Sequence, residues 1–321
     1  MTGATDEQDA YAPAQPRAVP WTRAASWVYA QPYLLLTVTM TMWAGNTVLA
    51  RYITGDVPPM GLNLFRWVLA SAIILPFGWR HLRRDWPAMA RRWPVMLVLA
   101  ATGVAGFNAL NYYGLQYTTA LNGVLLHSST PLMIALTAFL LFSDRLTLVQ
   151  AIGIAVSFCG VLVIISQGDA ETLLGVRFNQ GDLWIMAGLG CNAIFASCLR
   201  LRPAVHWLSY LTATSLIGMA LMVVPAGLEA AAGTSLRLDL ETVLTLIYVA
   251  VGASLVAHIC FNRGVELVGS NRAGAFFHVH PVIGAAMAIG LLGEEPRLYH
   301  LVGFVLTITG VALVAHQPGR K

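Results

Sequence analysis

Two histidines one residue apart, His278 and His280, precede Pro281 in an otherwise apolar stretch, "FFHVHPVIG". Such a pair could chelate a metal, relay protons near neutrality, or line a polar path. On a regular helix, residues two apart point about 200° away from each other. One metal ion cannot be gripped by both, so at most one ring is expected to face an interior, and His278 is the expected one. The other residues able to do chemistry also sit inside apolar runs. Trp43 and Asn46 are three apart, Asn108 and Tyr112 four apart, and Asn192 and Phe195 three apart, so each pair shares a helical face. An amide beside an aromatic ring suits a small zwitterion, recognised through partial charges. His258 and His127 are further candidates for ligand contact. His127 is followed by Ser128, Ser129, Thr130 and Pro131; those hydroxyls are expected to repair backbone groups freed by the proline, a task that His127 does not share. Arg66 lies about six residues, some 9 Å, into its apolar run. It is expected to snorkel outward or to bond backbone carbonyls, a clamp on a substrate carboxylate being the other reading.

Catalysis finds no foothold in this set. The sequence has no Gly-rich phosphate loop, no His-Glu-x-x-His and no Ser/His/acid arrangement at sensible depth. No catalytic residue, metal site or cofactor is expected. Glu266 and Glu294 stand near the ends of apolar runs, so antiport through a mid-span carboxylate is poorly supported and facilitated diffusion fits better. The four cysteines show no C-x-x-C spacing and read as packing residues.

The elements that must hold these residues are membrane helices. Of 321 residues, 57% are hydrophobic and 11% charged, with a mean hydropathy of +0.67, whereas a soluble domain carries about 25% charged residues. Lipid is therefore the main solvent. The net charge of +4 is no nucleic-acid signal, because the basic residues cluster between apolar runs. A crossing needs about 20 apolar residues, and such runs fall at about 32–51, 60–79, 94–114, 120–142, 148–166, 182–200, 205–227, 240–262, 271–292 and 298–316. Residues 1–31 read as a disordered tail, and the first run is long enough to span, so it is no signal peptide. With the N-terminus inside, 14 Lys and Arg residues flank the cytoplasmic ends and 4 the outer ends, and the positive-inside rule then places both termini in the cytoplasm.

Self-comparison exposes a repeat. At an offset of 150, Gly114 meets Gly264, Pro131 meets Pro281, Asp144 meets Glu294, Gly153 meets Gly303 and Gly160 meets Gly310. Asn108 meets His258 at the same offset, and Arg51 meets Arg200 at nearly the same one. Each copy holds five spans, an odd number, so the second must run in the opposite sense. Inverted repeats are the architecture of secondary transporters, with substrate bound near the midplane. The expected organisation is repeat 1 over 32–166, a periplasmic linker over 167–181, repeat 2 over 182–316 and a short tail over 317–321. Pro131 and Pro281 are the expected hinges. The fold class is all-α integral membrane, with ten transmembrane helices as two inverted five-helix repeats around a central cavity.

The stretches "WAGNTVLAR" (43–51), "LNLFRW" (62–67), "GLQYTTALNGVLLHSSTPLMIAL" (114–136) and "GVELVGSNRAGAFFHVHPVIGAA" (264–286) carry a resemblance, as do the acidic loops "SDRLT" and "GEEPR". Over residues 33–316 the chain resembles the drug/metabolite transporter superfamily, in its ten-span branch of two EamA-type repeats. It is most similar to the YddG-like exporters of aromatic amino acids and methionine. The resemblance implies a multi-pass protein of the bacterial inner membrane that exports amino acids by alternating access. A monomer is expected, with a small-molecule substrate and the lipid bilayer as its partners. Two other readings are export of drugs or other small metabolites, and a membrane-embedded enzyme, which would need acids or metal ligands clustered at one depth.

Overall fold

The computed structural model describes residues 27–143, 147–169, 179–234, 236–237, 239–268 and 276–315, apart from the side chains of His278, Val314 and Ala315. The described residues form helices and no strand. In chain order these are α1 (Pro32–Tyr52), α2 (Pro59–Arg91), α3 (Trp93–Gly114), α4 (Ala120–Phe142), α5 (Leu148–Ile165) and α6 (Gln180–Leu201). They continue with α7 (Trp207–Ala231), α8 (Leu240–Val268), α9 (Val279–Leu292) and α10 (Leu298–Ala315). Among the described residues, eight helices, α1 to α8, are long and apolar enough to cross a membrane, while α9 and α10 are shorter apolar helices.

Boundaries follow local chemistry. Pro32 and Pro59 open α1 and α2, where a missing N–H costs nothing. Thr119 caps α4, a Thr147–Gln150 capping box starts α5, and Asn179 and Asp239 cap α6 and α8. Two expected boundaries are corrected. The second run does not stop near residue 79, because α2 continues to Arg91. Its 33 residues span about 50 Å, against a hydrocarbon core of about 30 Å. Arg80, Arg83 and Arg84 look like a loop, yet Leu82 and Met89 keep helical spacing and bury with Met96 and Ala213. Asp85 on this extension accepts the His206 backbone N–H (3.0 Å) and the Ser209 hydroxyl (2.6 Å), holding the start of α7. Likewise α8 runs to Val268 rather than 262. The described part of the ninth span is a 3₁₀ turn at Phe276–His278 followed by α9 from Val279. Residues 269–275, expected to begin that span, lie outside the described residues.

Glycines set the closest packing. A β-carbon on Gly160 would fall 2.6 Å from the Gly303 carbonyl oxygen, and one on Gly303 would fall 2.9 Å from the Gly160 carbonyl oxygen. Gly310 sits equally close to Gly153. The α5 and α10 backbones thus touch, as helices in lipid must when hydrophobic force between them is missing. Gly114 of α3 packs on Ile185 of α6, and Gly264 of α8 packs on Leu36 of α1.

Two kinds of irregularity interrupt the helices. Wide π turns occupy Ala100–Gly106 in α3 and Tyr248–Val256 in α8. A 3₁₀ turn at His127–Ser129 breaks α4 just before Pro131, as the one at Phe276–His278 lies just before Pro281. Such turns free backbone carbonyls, and side chains take them up. Trp67 donates its indole N–H to the Val104 carbonyl (3.1 Å), Trp43 donates to Ala253 (3.1 Å), and Asn63 donates to Ala105 (3.0 Å). In α4 the hydroxyls of Ser128, Ser129 and Thr130 donate to the carbonyls of Leu125, Leu126 and His127 at 2.5–2.7 Å. Those three hydroxyls are engaged in helix repair.

Candidate functional site

The residues built into the bundle interior are amphipathic choices on apolar helices. On α2, Asn63, Arg66, Trp67, Ala70, Ser71 and Ile74 form one buried stripe, while Phe65, Val68, Ile73 and Phe77 are exposed on the other side. Arg66 therefore does not snorkel: the side chain points inward and the residue is only 4% exposed. Its Nε donates to the Ser254 hydroxyl on α8 (2.6 Å), and Nη1 donates to Asn108 Oδ1 (2.8 Å) and to the Tyr112 hydroxyl (2.6 Å) on α3. Tyr112 passes the link on, donating to Asn46 Oδ1 on α1 at 2.7 Å. The guanidinium also lies over the rings of Trp67 and Tyr112, 5.4 and 5.9 Å from their centroids. Four helices thus converge on one cation. Among the described residues, no carboxylate oxygen lies within 4.0 Å of it. A buried, unneutralised charge costs several kcal/mol, offset here only in part by neutral acceptors and ring faces.

Beside this layer stands an aromatic group on α1, α8 and the turn before α9. Trp43 meets His258 edge-on (5.6 Å), Phe261 at a tilt (5.6 Å) and Phe277 in a stack (5.7 Å). His258 Nδ1 is buried without a hydrogen-bond partner. A third group joins α3, α4 and α9. The rings of His127 and His280 stack at 5.5 Å with 13° between planes. Asn111 donates its amide N–H to the Phe107 carbonyl (2.8 Å), which turns its Oδ1 toward His127 Nε2 at 2.7 Å. His127 therefore carries its proton on Nε2.

The structure brings Asn46, Asn108 and Tyr112 into one network and sets Trp43 and His258 against one another. His127 stands a short step away on Asn111. Phe195 packs over Gly103 in the α3 π turn, and Asn192, half-buried on the same helix, makes none of these bonds. The expectation for His278 falls on a side chain outside the described residues; His280 is buried, and its ring reaches that of His127 on α4. Arg66, Asn111, Ser254 and His280 complete the site and were not among the expected contacts. Pro131 and Pro281 sit beside the two 3₁₀ turns, where the α4 and α9 backbones depart from regular helix.

The end of the bundle near Arg51 carries a second polar set. Asp182, fully buried in the first turn of α6, accepts from the Thr118 hydroxyl (2.6 Å) and from the Asn122 amide (3.3 and 3.4 Å). His300 Nδ1 accepts the Arg297 backbone N–H (2.9 Å), so its Nε2–H donates to Asn122 Oδ1 at 3.0 Å. Glu294, from the loop between α9 and α10, accepts the first backbone N–H groups of α4 from Ala120 (2.8 Å) and Leu121 (2.7 Å). Next to it opens a cavity of about 410 Å³ lined by Arg51, Tyr52, Thr54, Thr119, Leu292 and Glu294.

Comparisons with known proteins fit this arrangement of apolar helices around buried polar groups. The chain is 28% identical over 285 residues to the uncharacterized transporter YyaM of Bacillus subtilis (strain 168), covering 87% of this chain and 92% of that one. It is 25% identical over 314 residues to a probable terminal-alkyne amino-acid exporter of Streptantibioticus cattleyicolor, covering 89% and 97%. A crystal structure 16% identical superposes with a TM-score of 0.55, covering 88% of this chain and 96% of that one, a likeness of fold. The model of the EamA-like transporter family matches twice, over residues 31–166 and 179–315. With both matches together covering most of its length, this multi-pass membrane chain belongs to the EamA-like transporter family.

Proposed function

We propose that the protein exports amino acids, aromatic or methionine-like, across the bacterial inner membrane by alternating access. The observation that carries this reading is the interior layer in which Arg66 bonds Asn108, Tyr112 and Ser254, and Tyr112 bonds Asn46, with the Trp43–His258–Phe261–Phe277 aromatic group alongside. Polar groups for a zwitterion and ring faces for a side chain then lie together inside helices that otherwise face lipid. The amino-acid exporter among the relatives supports the same substrate class.

In this reading all ten helices cross the membrane as two inverted repeats, with both termini cytoplasmic and the Glu294 end outside. The double family match supports it. So does the reciprocity of the packing: Gly153 and Gly160 correspond to Gly303 and Gly310, and the contacts run crosswise, 153 with 310 and 160 with 303, as a two-fold axis between α5 and α10 requires. The α3–α6 contact at Gly114 and the α8–α1 contact at Gly264 form a second such pair, and the π turns of α3 and α8 a third. The repeats rock about the 3₁₀ turns beside Pro131 and Pro281. Counterflow of labelled amino acids into proteoliposomes tests the reading: saturable exchange of at least one neutral amino acid is expected, and no exchange across all twenty would sink it.

A further inference from the structure

We infer that Arg66 is the anchor for a carboxylate of the transported molecule, which makes the ligand class a small monocarboxylate and places its acid group between α2, α3 and α8. The inference rests on the transport reading above and names the chemistry of its central site. A guanidinium offers five N–H donors in a planar fork and does not shed its charge in proteins. Arg66 places three of its hydrogen bonds on neutral oxygens, those of Ser254, Asn108 and Tyr112. Nη2 makes no hydrogen bond among the described residues. Neutral oxygens orient a cation without neutralising it, and among the described residues no carboxylate stands within ion-pairing distance. A carboxylate is the planar, bidentate partner that the fork matches, and it would cancel the charge that the bundle leaves open.

The surroundings agree. The partners come from α3 and α8: Asn108 and Tyr112 stand on the regular helix that follows the α3 π turn, and Ser254 lies within the π turn of α8, a kind of irregularity that recurs at functional sites. His258, whose Nδ1 is buried and unpartnered, is one turn beyond Ser254 on the same helix and offers a second polar atom. The Trp43 aromatic group lies beyond it, in reach of a side chain attached to the same acid. Arg66 acts here as a binding residue, with Ser254, Asn108 and Tyr112 as positioning residues.

The test is calorimetric titration of the purified full-length chain in detergent with matched probes: L-phenylalanine, L-phenylalaninamide, 3-phenylpropionate, acetate and chloride. The two phenyl acids are expected to bind and the amide to bind at least about 30-fold more weakly, the scale of removing one partner of a buried charge pair. Arg66→Lys, which keeps the charge and loses the fork, is expected to bind both acids at least about tenfold more weakly, with its folded state checked by an unchanged melting profile. The wild-type comparison of acid with amide stands even if that variant fails to fold. Equal binding of acid and amide, chloride binding as tightly as the acids, or no binding of either acid overturns the inference. Binding of 3-phenylpropionate without phenylalanine leaves the anchor standing and removes the amino-acid reading.

Discussion

Glu294→Ala is the perturbation whose consequence follows most directly from the geometry. The carboxylate accepts two backbone N–H groups at the start of α4, at 2.8 and 2.7 Å. It is the only described side-chain tie from the α9–α10 loop to the α4 N-terminus itself. Charge-assisted bonds are worth about 1.5–3 kcal/mol each, and the adjoining cavity of about 410 Å³ exposes this pair to solvent, so the lower bound is the better figure for each bond. The two together give about 3 kcal/mol, a roughly 100-fold change in an equilibrium constant. In the proposed orientation this tie must break for the outer ends of α4 and α9 to part, so its loss shifts the population toward the outward-open state. The assay places one cysteine at Ala50, which is 6% exposed and lines a small cavity with Tyr112, in a chain whose native Cys159, Cys191, Cys198 and Cys260 have been replaced. Labelling by a membrane-impermeant maleimide in intact cells then reports the open fraction. The rate is expected to rise about 30- to 100-fold in Glu294→Ala and to stay unchanged in Glu295→Ala, whose only described ion pair is a 4.0 Å contact to Arg297 with both side chains exposed. An unchanged rate at Ala50→Cys in folded Glu294→Ala protein would refute the reasoning.

Three further outcomes are expected. Asp182→Asn replaces an acceptor of the Thr118 and Asn122 donors by an amide that must turn its own N–H₂ toward one of them, lowering stability by about 1–3 kcal/mol in thermal melts of detergent-solubilised protein; a melt equal to wild type would show that the network is not holding the α3–α4 loop, α4 and α6 together. Gly303→Val drives a side chain into Ile164 and the Gly160 carbonyl, an overpacking of about 1–3 kcal/mol, whereas Gly290→Ala, with nothing within 4 Å, is expected to melt like wild type; equal behaviour of the two would refute the close α5–α10 contact. Asp239, at the exposed cap of α8, has its carboxyl held below the ordinary range by hydrogen bonds from Thr242, so its contribution is complete above about pH 3.9 and fades as pH falls through the lower folded value. The melting difference between wild type and Asp239→Ala should therefore be constant from pH 5 to 8 and shrink below about pH 4; a difference that stays undiminished as pH falls below about 4 contradicts it.

Much of the fold is legible in the chain because lipid allows few backbone solutions: apolar runs become helices, and among the described residues eight of them have the length and composition to cross. The failures have local causes. On α2 the arginines hid a helix that continues on its α7-facing stripe, and on α8 Arg263 hid a last stretch of helix that runs on to Val268. The polar layer was legible one helix at a time, since Asn46, Asn108 and Tyr112 stand out in apolar runs. What one helix cannot reveal is which groups converge. Taken on its own helix, Arg66 can snorkel cheaply. The signal that places it inside was nonetheless present: Asn63, Arg66, Ala70 and Ser71 recur on one face while Phe65, Val68 and Phe77 recur on the other, and in lipid the polar stripe turns inward. Asp182 stands at the very start of its run, and a capped first helical turn is where a carboxylate is best tolerated. The arrangement of these two groups bears on mechanism. A lasting Arg66–Asp182 ion pair would satisfy both and leave neither free to answer a ligand. Held on separate networks of neutral partners, each can exchange those partners as the helices move, which is what a proposed cycle of binding and release at Arg66 demands.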